Sequence, residues 1–185
     1  MPTNRRIGII DIGSNSIRLV IYEFLPTQAY RVIGEFKQSA RLSQLIGEDN
    51  ELPANAILSL IDTMKHFKQI CDAYSVTELR AAATAAVRNA SNSAQIIDSL
   101  RRESGLEVEL LSGDDEARIG FLGMIHALDI PDGMLVDIGG GSTEVTFFRE
   151  PAACPQRLLP VRSRQYDAEI FVRRQFYARA DPRHP

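Results

Sequence analysis

Two segments of this chain carry one pattern 126 residues apart: IGIIDIGSNSIRLVIY over 7–22 and GMLVDIGGGSTEVTFF over 133–148. Each reads as an apolar strand, Asp-Ile-Gly, small residues, and a second strand. Asp11 falls with Asp137, Gly13 with Gly139, and Ser16 with Ser142. The interval is too long for a solenoid repeat. It predicts two related hairpins, and a chain that builds the same special turn twice has a use for it.

That use follows from the turn's chemistry. Glycines let the backbone turn tightly and approach a ligand, and successive N–H groups in such a turn form an anion-binding nest. The hydroxyls of Ser14, Ser16, Ser142 and Thr143 add donors. An aspartate at the strand end repels phosphate by itself, but fits as a ligand to Mg2+ whose other ligands are phosphate oxygens. An Asx-type turn closing each hairpin is the plainer account of Asp11 and Asp137. The three consecutive glycines Gly139, Gly140 and Gly141 weaken a hairpin unless something approaches the backbone closely.

The rest of the chain alternates strands with helices, which defines an α/β protein. Residues 5–38 read as a three-strand meander with turns at Gly13–Asn15 and Pro26–Gln28. Residues 39–54 read as a loop. Ile57, Leu60, Ile61, Met64, Phe67 and Cys71 set a helical period over 55–73, which places Cys71 in the core. A strand at 77–83 precedes a small-residue segment and a helix over 93–103, capped by Ser91 or Ser93. A strand at 107–111 and a helix over 114–128 lead to the second hairpin, 133–148. His66 and His126 fall on predicted helices as surface or interface residues.

Composition removes several function classes. A net charge of −3 over 185 residues excludes a strongly basic nucleic-acid coat. Cys71 and Cys154 have neither zinc-knuckle nor disulfide-framework spacing, and three scattered histidines make no metal cluster. No apolar run is long enough to span a bilayer, so neither membrane nor nucleic acid is an expected partner. Few cysteines and no signal peptide lead us to expect a reducing, cytoplasmic setting.

Four blocks together carry a resemblance: DIGSNSIRLVI (11–21), TAAVRNA (84–90), LSGDDEAR (111–118) and VDIGGGSTE (136–144). In order and spacing they resemble the N-terminal lobe of the exopolyphosphatase / guanosine pentaphosphate phosphatase (Ppx/GppA) family. The resemblance covers roughly residues 5–148 and implies the actin-like ATPase fold (acetate/sugar kinase–Hsp70–actin), with a mixed sheet flanked by helices. It implies Mg2+-dependent hydrolysis of terminal phosphoanhydride bonds, in inorganic polyphosphate or in pppGpp. By the same resemblance Glu116 is the catalytic base that activates water. Asp11, Asp137 and Glu144 handle the metal, and Ser14, Asn15 and Ser16 form the first phosphate loop. Gly139, Gly140, Gly141, Ser142 and Thr143 form the second loop, and Arg18 and Arg88 contact phosphate.

Read without the family, these residues have other accounts. An acidic first turn at Asp114, Asp115 and Glu116 is what the helix dipole favours in any case. Arg18 suits a solvent-facing strand position, and Arg88 suits a solvated loop. The chemistry still agrees with the family: phosphoryl transfer needs charge neutralisation, N–H donors and a group to orient water.

The character of the chain changes after Phe148. Residues 1–148 carry 13 Lys+Arg against 20 Asp+Glu, whereas 149–185 carry 8 Arg, no Lys and 4 acids. This tail reads as an atypical Arg/Pro-rich end with a weak helical period over 166–177, set by Tyr166, Ile170 and Tyr177. Its composition suggests a shifted reading frame in place of the second lobe that the resemblance implies. A lone lobe with an apolar cleft face is expected to self-associate as a homodimer. It is then either a hydrolase or a non-catalytic polyphosphate-binding module. A sugar-kinase-like ATPase is the remaining alternative, against which the GDDEAR and TAAVRNA blocks speak.

Overall fold

A computed structural model of the chain describes residues 5–26, 29–125, 132–138, 143–149 and 171–175. It divides into two compact units, Met1–Gly113 and Asp114–Pro185. In the first unit, β1 (Arg5–Ile12), β2 (Ser16–Phe24) and β3 (Tyr30–Ser39) form the meander expected from the sequence. A one-turn helix α1 (Leu42–Leu45) follows, in the stretch read as loop, and then α2 (Ala54–Ala73). Next come β4 (Glu78–Ala83), the short α3 (Ala85–Arg88), α4 (Ser93–Ser104) and β5 (Val108–Leu110).

The sheet order is β3-β2-β1-β4-β5. β1 is antiparallel to β2 but parallel to β4, and β4 is parallel to β5. One face carries Ile10, Ile12, Ile17, Leu19 and Ile21, all buried in a single cluster with α2 and with Ile96 and Leu100 of α4. Period-2 alternation sends Ile9, Asp11 and Arg18 to the opposite face, where they are exposed. The parallel strands β1, β4 and β5 therefore end at one edge of the sheet, and that edge is where α/β sheets bind ligands.

Local chemistry sets the element boundaries. α2 begins directly after Pro53, whose ring suits a helix entrance. α4 ends at Gly105 with φ 68, a left-handed position that glycine takes without a side-chain clash. Neither Ser91 nor Ser93 caps α4; the cap position is Asn92, which makes no capping bond. Instead Asn92 holds the backbone of Leu52 at both ends: its Oδ1 accepts from the Leu52 N–H at 3.1 Å and its Nδ2 donates to the Leu52 carbonyl at 2.9 Å. A tertiary bond pair has displaced the local one. Cys71 is buried as expected, and burial followed by the neighbouring Asp72 charge pushes its thiol up to about 11, so it is inert at neutral pH.

Glu23 on β2 is an acid among the buried residues. Arg31 donates to its Oε2 at 2.6 and 2.8 Å, and Arg6 donates to its Oε1 at 3.0 and 3.1 Å. These hydrogen bonds, Arg31's first and then Arg6's, hold its carboxyl below the usual carboxylate range. A carboxyl with a depressed folded-state pKa stabilises the fold above its unfolded value and loses that contribution as pH falls through the folded one. Thermal melts are therefore expected to be level from neutral pH down to about 4.5 and to drop below it. A Glu23→Gln variant is expected to start from a lower melting temperature and to show a flatter acid limb. An unchanged acid limb would remove Glu23 from the account of acid unfolding.

The second unit contains α5 (Gly113–Ile125) from Asp114 onward, and a sheet of order β6-β7-β8: β6 (Asp132–Ile138), β7 (Thr143–Arg149) and β8 (Phe171–Gln175). The helical period read over 166–177 does not hold at 171–175. That stretch is a strand paired antiparallel to β7, with Phe171 opposite Phe147 and Val172 opposite Thr146. Aromatic and β-branched residues favour this pairing, and the helical spacing of Tyr166, Ile170 and Tyr177 was too weak a pattern to outweigh it.

Candidate functional site

The first turn is built by β1 and β2. Gly13 N–H donates to the Ser16 carbonyl at 3.1 Å and closes the loop. A β-carbon on Gly13 would stand 3.0 Å from that same carbonyl oxygen, so the tightness of the turn favours glycine. The segment after β3 then secures the outside of the turn. Ala40 and Arg41 N–H both donate to the Asn15 carbonyl, at 3.0 and 2.9 Å, and Ser43 N–H donates to the Ser14 carbonyl at 3.2 Å. With these carbonyls engaged, the N–H groups of Ser14 and Asn15 have no protein backbone acceptor among the described residues. Ser14 is buried and Asn15 exposed. Backbone N–H groups left in this way can donate to an anion.

The neighbouring strand end is fixed to this turn. Thr84 N–H and Oγ1 both reach the Ile12 carbonyl, at 3.2 and 3.4 Å. Thr84 sits inside the TAAVRNA block but was not singled out from the sequence; its place at the end of a strand pattern was the available signal. Arg88 lies on α3, not in an open loop. Its Nη1 donates to the Leu111 carbonyl at 2.9 Å, just past the end of β5. The solvated-loop account of Arg88 therefore fails, and the arginine stands at the carboxyl edge of the parallel strands. Arg18 is exposed, directly opposite Asp11 in the β1–β2 ladder and 3.8 Å from Glu35.

In the second unit, the first turn of α5 holds Asp114, Asp115 and Glu116. Asp114 and Asp115 are exposed, whereas Glu116 is half-buried, which separates it from its acidic neighbours. Asp137 is exposed on β6, and its register partner on β7 is Glu144. Thr143 opens β7 opposite Ile138. Gly139, Gly140, Gly141 and Ser142 lie outside the described residues.

The repeat is structural as well as sequential. Asp11 pairs with Arg18 and Ile12 with Ile17; Asp137 pairs with Glu144 and Ile138 with Thr143. Both hairpins thus have the same register and connections of equal length. They differ in the residue opposite the aspartate, an arginine in one and a glutamate in the other. Among the described residues no group of three His, Cys, Asp or Glu side chains stands ready to hold a metal ion.

The 3-2-1-4-5 sheet, with strand 2 antiparallel and a glycine turn after strand 1, is the lobe of an actin-like ATPase-fold protein. The sequence profile of the Ppx/GppA phosphatase family matches residues 9–178, and the chain belongs to that family. Exopolyphosphatase 1 of Mycobacterium tuberculosis is 32% identical over 143 residues, covering 76% of this chain and 42% of the relative. Retrograde regulation protein 2 of Saccharomyces cerevisiae is 33% identical over 149 residues, covering 76% and 25%. Among solved structures, the Aquifex aeolicus Ppx/GppA family member superposes with a TM-score of 0.70 at 32% identity, covering 78% of this chain and 47% of that one. An exopolyphosphatase from Cytophaga hutchinsonii gives 0.72 at 32% identity, covering 77% and 46%. The chain thus spans less than half the length of these relatives. No helix among the described residues is long and apolar enough to cross a membrane.

Proposed function

We propose that this chain carries the phosphate-binding and water-activating residues for hydrolysis of the terminal phosphoanhydride bond of inorganic polyphosphate. The observation that carries the reading is the turn at Gly13–Asn15, with the Ser14 and Asn15 carbonyls engaged and the N–H groups of the same two residues left to donate. The N–H groups of Ser14 and Asn15 and the hydroxyl of Ser16 bind oxygens of the terminal phosphate. Arg88 and Arg18 offset its charge. Glu116 accepts a proton from water as the water oxygen attacks the terminal phosphorus; the bond to the bridging oxygen breaks, and the shortened chain leaves with that oxygen's electron pair. The second turn, Gly139–Thr143, supplies further donors by its likeness to the first.

Asp11, Asp137 and Glu144 are the residues that would hold Mg2+. Two acids at directly opposed positions of one ladder repel each other unless a cation neutralises them, and Asp137 and Glu144 are so placed. Oxygen-only donors suit this hard ion, which when bound offsets charge on phosphoryl oxygens.

The test is phosphate release from long-chain polyphosphate, with Mg2+ present and with it chelated. Metal-dependent release is the expected result. Polyphosphate bound but not cut would narrow the chain to a binding lobe, and neither binding nor release would overturn the reading.

A further inference from the structure

Arg41 joins β3 to α1, and its own N–H is one of the donors that hold the Asn15 carbonyl. It adopts φ 48 and ψ 39, the left-handed region, where the β-carbon of an L-residue crowds the following carbonyl. Asn50 and Ser75 are the other described non-glycine residues with positive φ. Asparagine visits this region readily, because its short side chain bonds locally. An arginine has no such compensation, and the Arg41 side chain makes no capping bond.

Its charge is also uncompensated. Every other described arginine of the first unit has a carboxylate or a backbone carbonyl as partner. The exposed Arg41 guanidinium has no such partner among the described residues. A left-handed residue whose backbone is bonded to the turn thus carries a cation with no carboxylate or carbonyl partner among the described residues. Strain kept at such a place usually serves a ligand.

We propose that Arg41 is a further phosphate-binding residue, which grips the phosphate groups next to the one held by the Gly13–Asn15 turn. The inference rests on the phosphate reading of that turn. The guanidinium fork matches phosphate oxygens bidentately, and a polyphosphate chain presents neighbouring phosphates that orthophosphate lacks. Arg41 is then a determinant of preference for chains over single phosphates.

The test measures binding of tripolyphosphate and of orthophosphate, with Mg2+, to the full chain and to R41G, R41Q and R41K. Glycine carries no penalty in the left-handed region, so R41G is expected to melt no lower than the parent, which excludes misfolding as the cause of any loss. R41G and R41Q are expected to bind tripolyphosphate about tenfold more weakly, the effect of one charge-assisted phosphate contact. R41K, which keeps the charge, is expected to retain most of the affinity, and orthophosphate binding is expected to be unchanged in all three. Tripolyphosphate binding in R41Q and R41G as tight as in the parent would overturn the assignment of Arg41 alone. A parent chain that binds neither ligand would overturn the phosphate reading of the turn, and Arg41 with it.

Discussion

Replacing Glu116 by glutamine is expected to lower Mg2+-dependent phosphate release by about 10²–10⁴-fold, the usual contribution of a positioned general base. Glutamine keeps the length and a hydrogen-bonding carbonyl but takes no proton at neutral pH. Affinity for polyphosphate is expected to stay within experimental error, because in the proposed site the substrate's charge would be met by backbone donors and arginines rather than by this acid. Asp115→Asn is the matched control: it removes the same charge from the same turn of α5, but at an exposed position. If the role of Glu116 were only to complement the helix dipole, both variants would lose a little stability and neither would lose much rate. A large rate loss confined to Glu116→Gln separates chemistry from helix electrostatics. Equal, small losses in both variants would remove Glu116 as the base.

The alternation of apolar residues made the meander and the α2 core face legible, because period-2 and period-3.6 patterns are direct consequences of where side chains point. The twofold Asp-Ile-Gly pattern was also legible, and the two hairpins it predicts share one strand register. What could not be read were bonds that join segments distant in sequence. The sequence offers serines as caps for α4, yet Asn92 is committed to Leu52, forty residues away. It offers Arg88 as a loop cation, yet α3 and the Leu111 carbonyl hold it at the sheet edge. The anchoring of the first turn by residues 40–43 was hidden for the same reason, since that stretch carries no periodicity and its work is done by backbone groups. Motif residues are thus visible in sequence, whereas the groups that orient them act through the main chain.

Leu100→Ala is expected to cost about 2–5 kcal/mol, the range for removing a large aliphatic side chain from a packed core. Leu100 is 0% exposed and belongs to the cluster in which α4 and α2 cover one face of the sheet. At roughly 2–4 °C per kcal/mol for a chain of this size, the melting temperature falls by on the order of 10 °C. The informative comparison is Ile9→Ala. Ile9 lies on a central strand but on the opposite face, and is 43% exposed, so it has less apolar area to lose and leaves no closed cavity. Its truncation is expected to cost about 1 kcal/mol or less. The asymmetry follows from the sheet itself: parallel strands normally have both faces covered, and β1, β4 and β5 are parallel, yet the described helices α2 and α4 pack on one face. Thermal melts of the two variants therefore measure how the sheet is covered in solution. A cost for Ile9→Ala that rises with protein concentration would mean that a second copy buries this face, and a cost near that of Leu100→Ala at every concentration would place a cover within the chain itself.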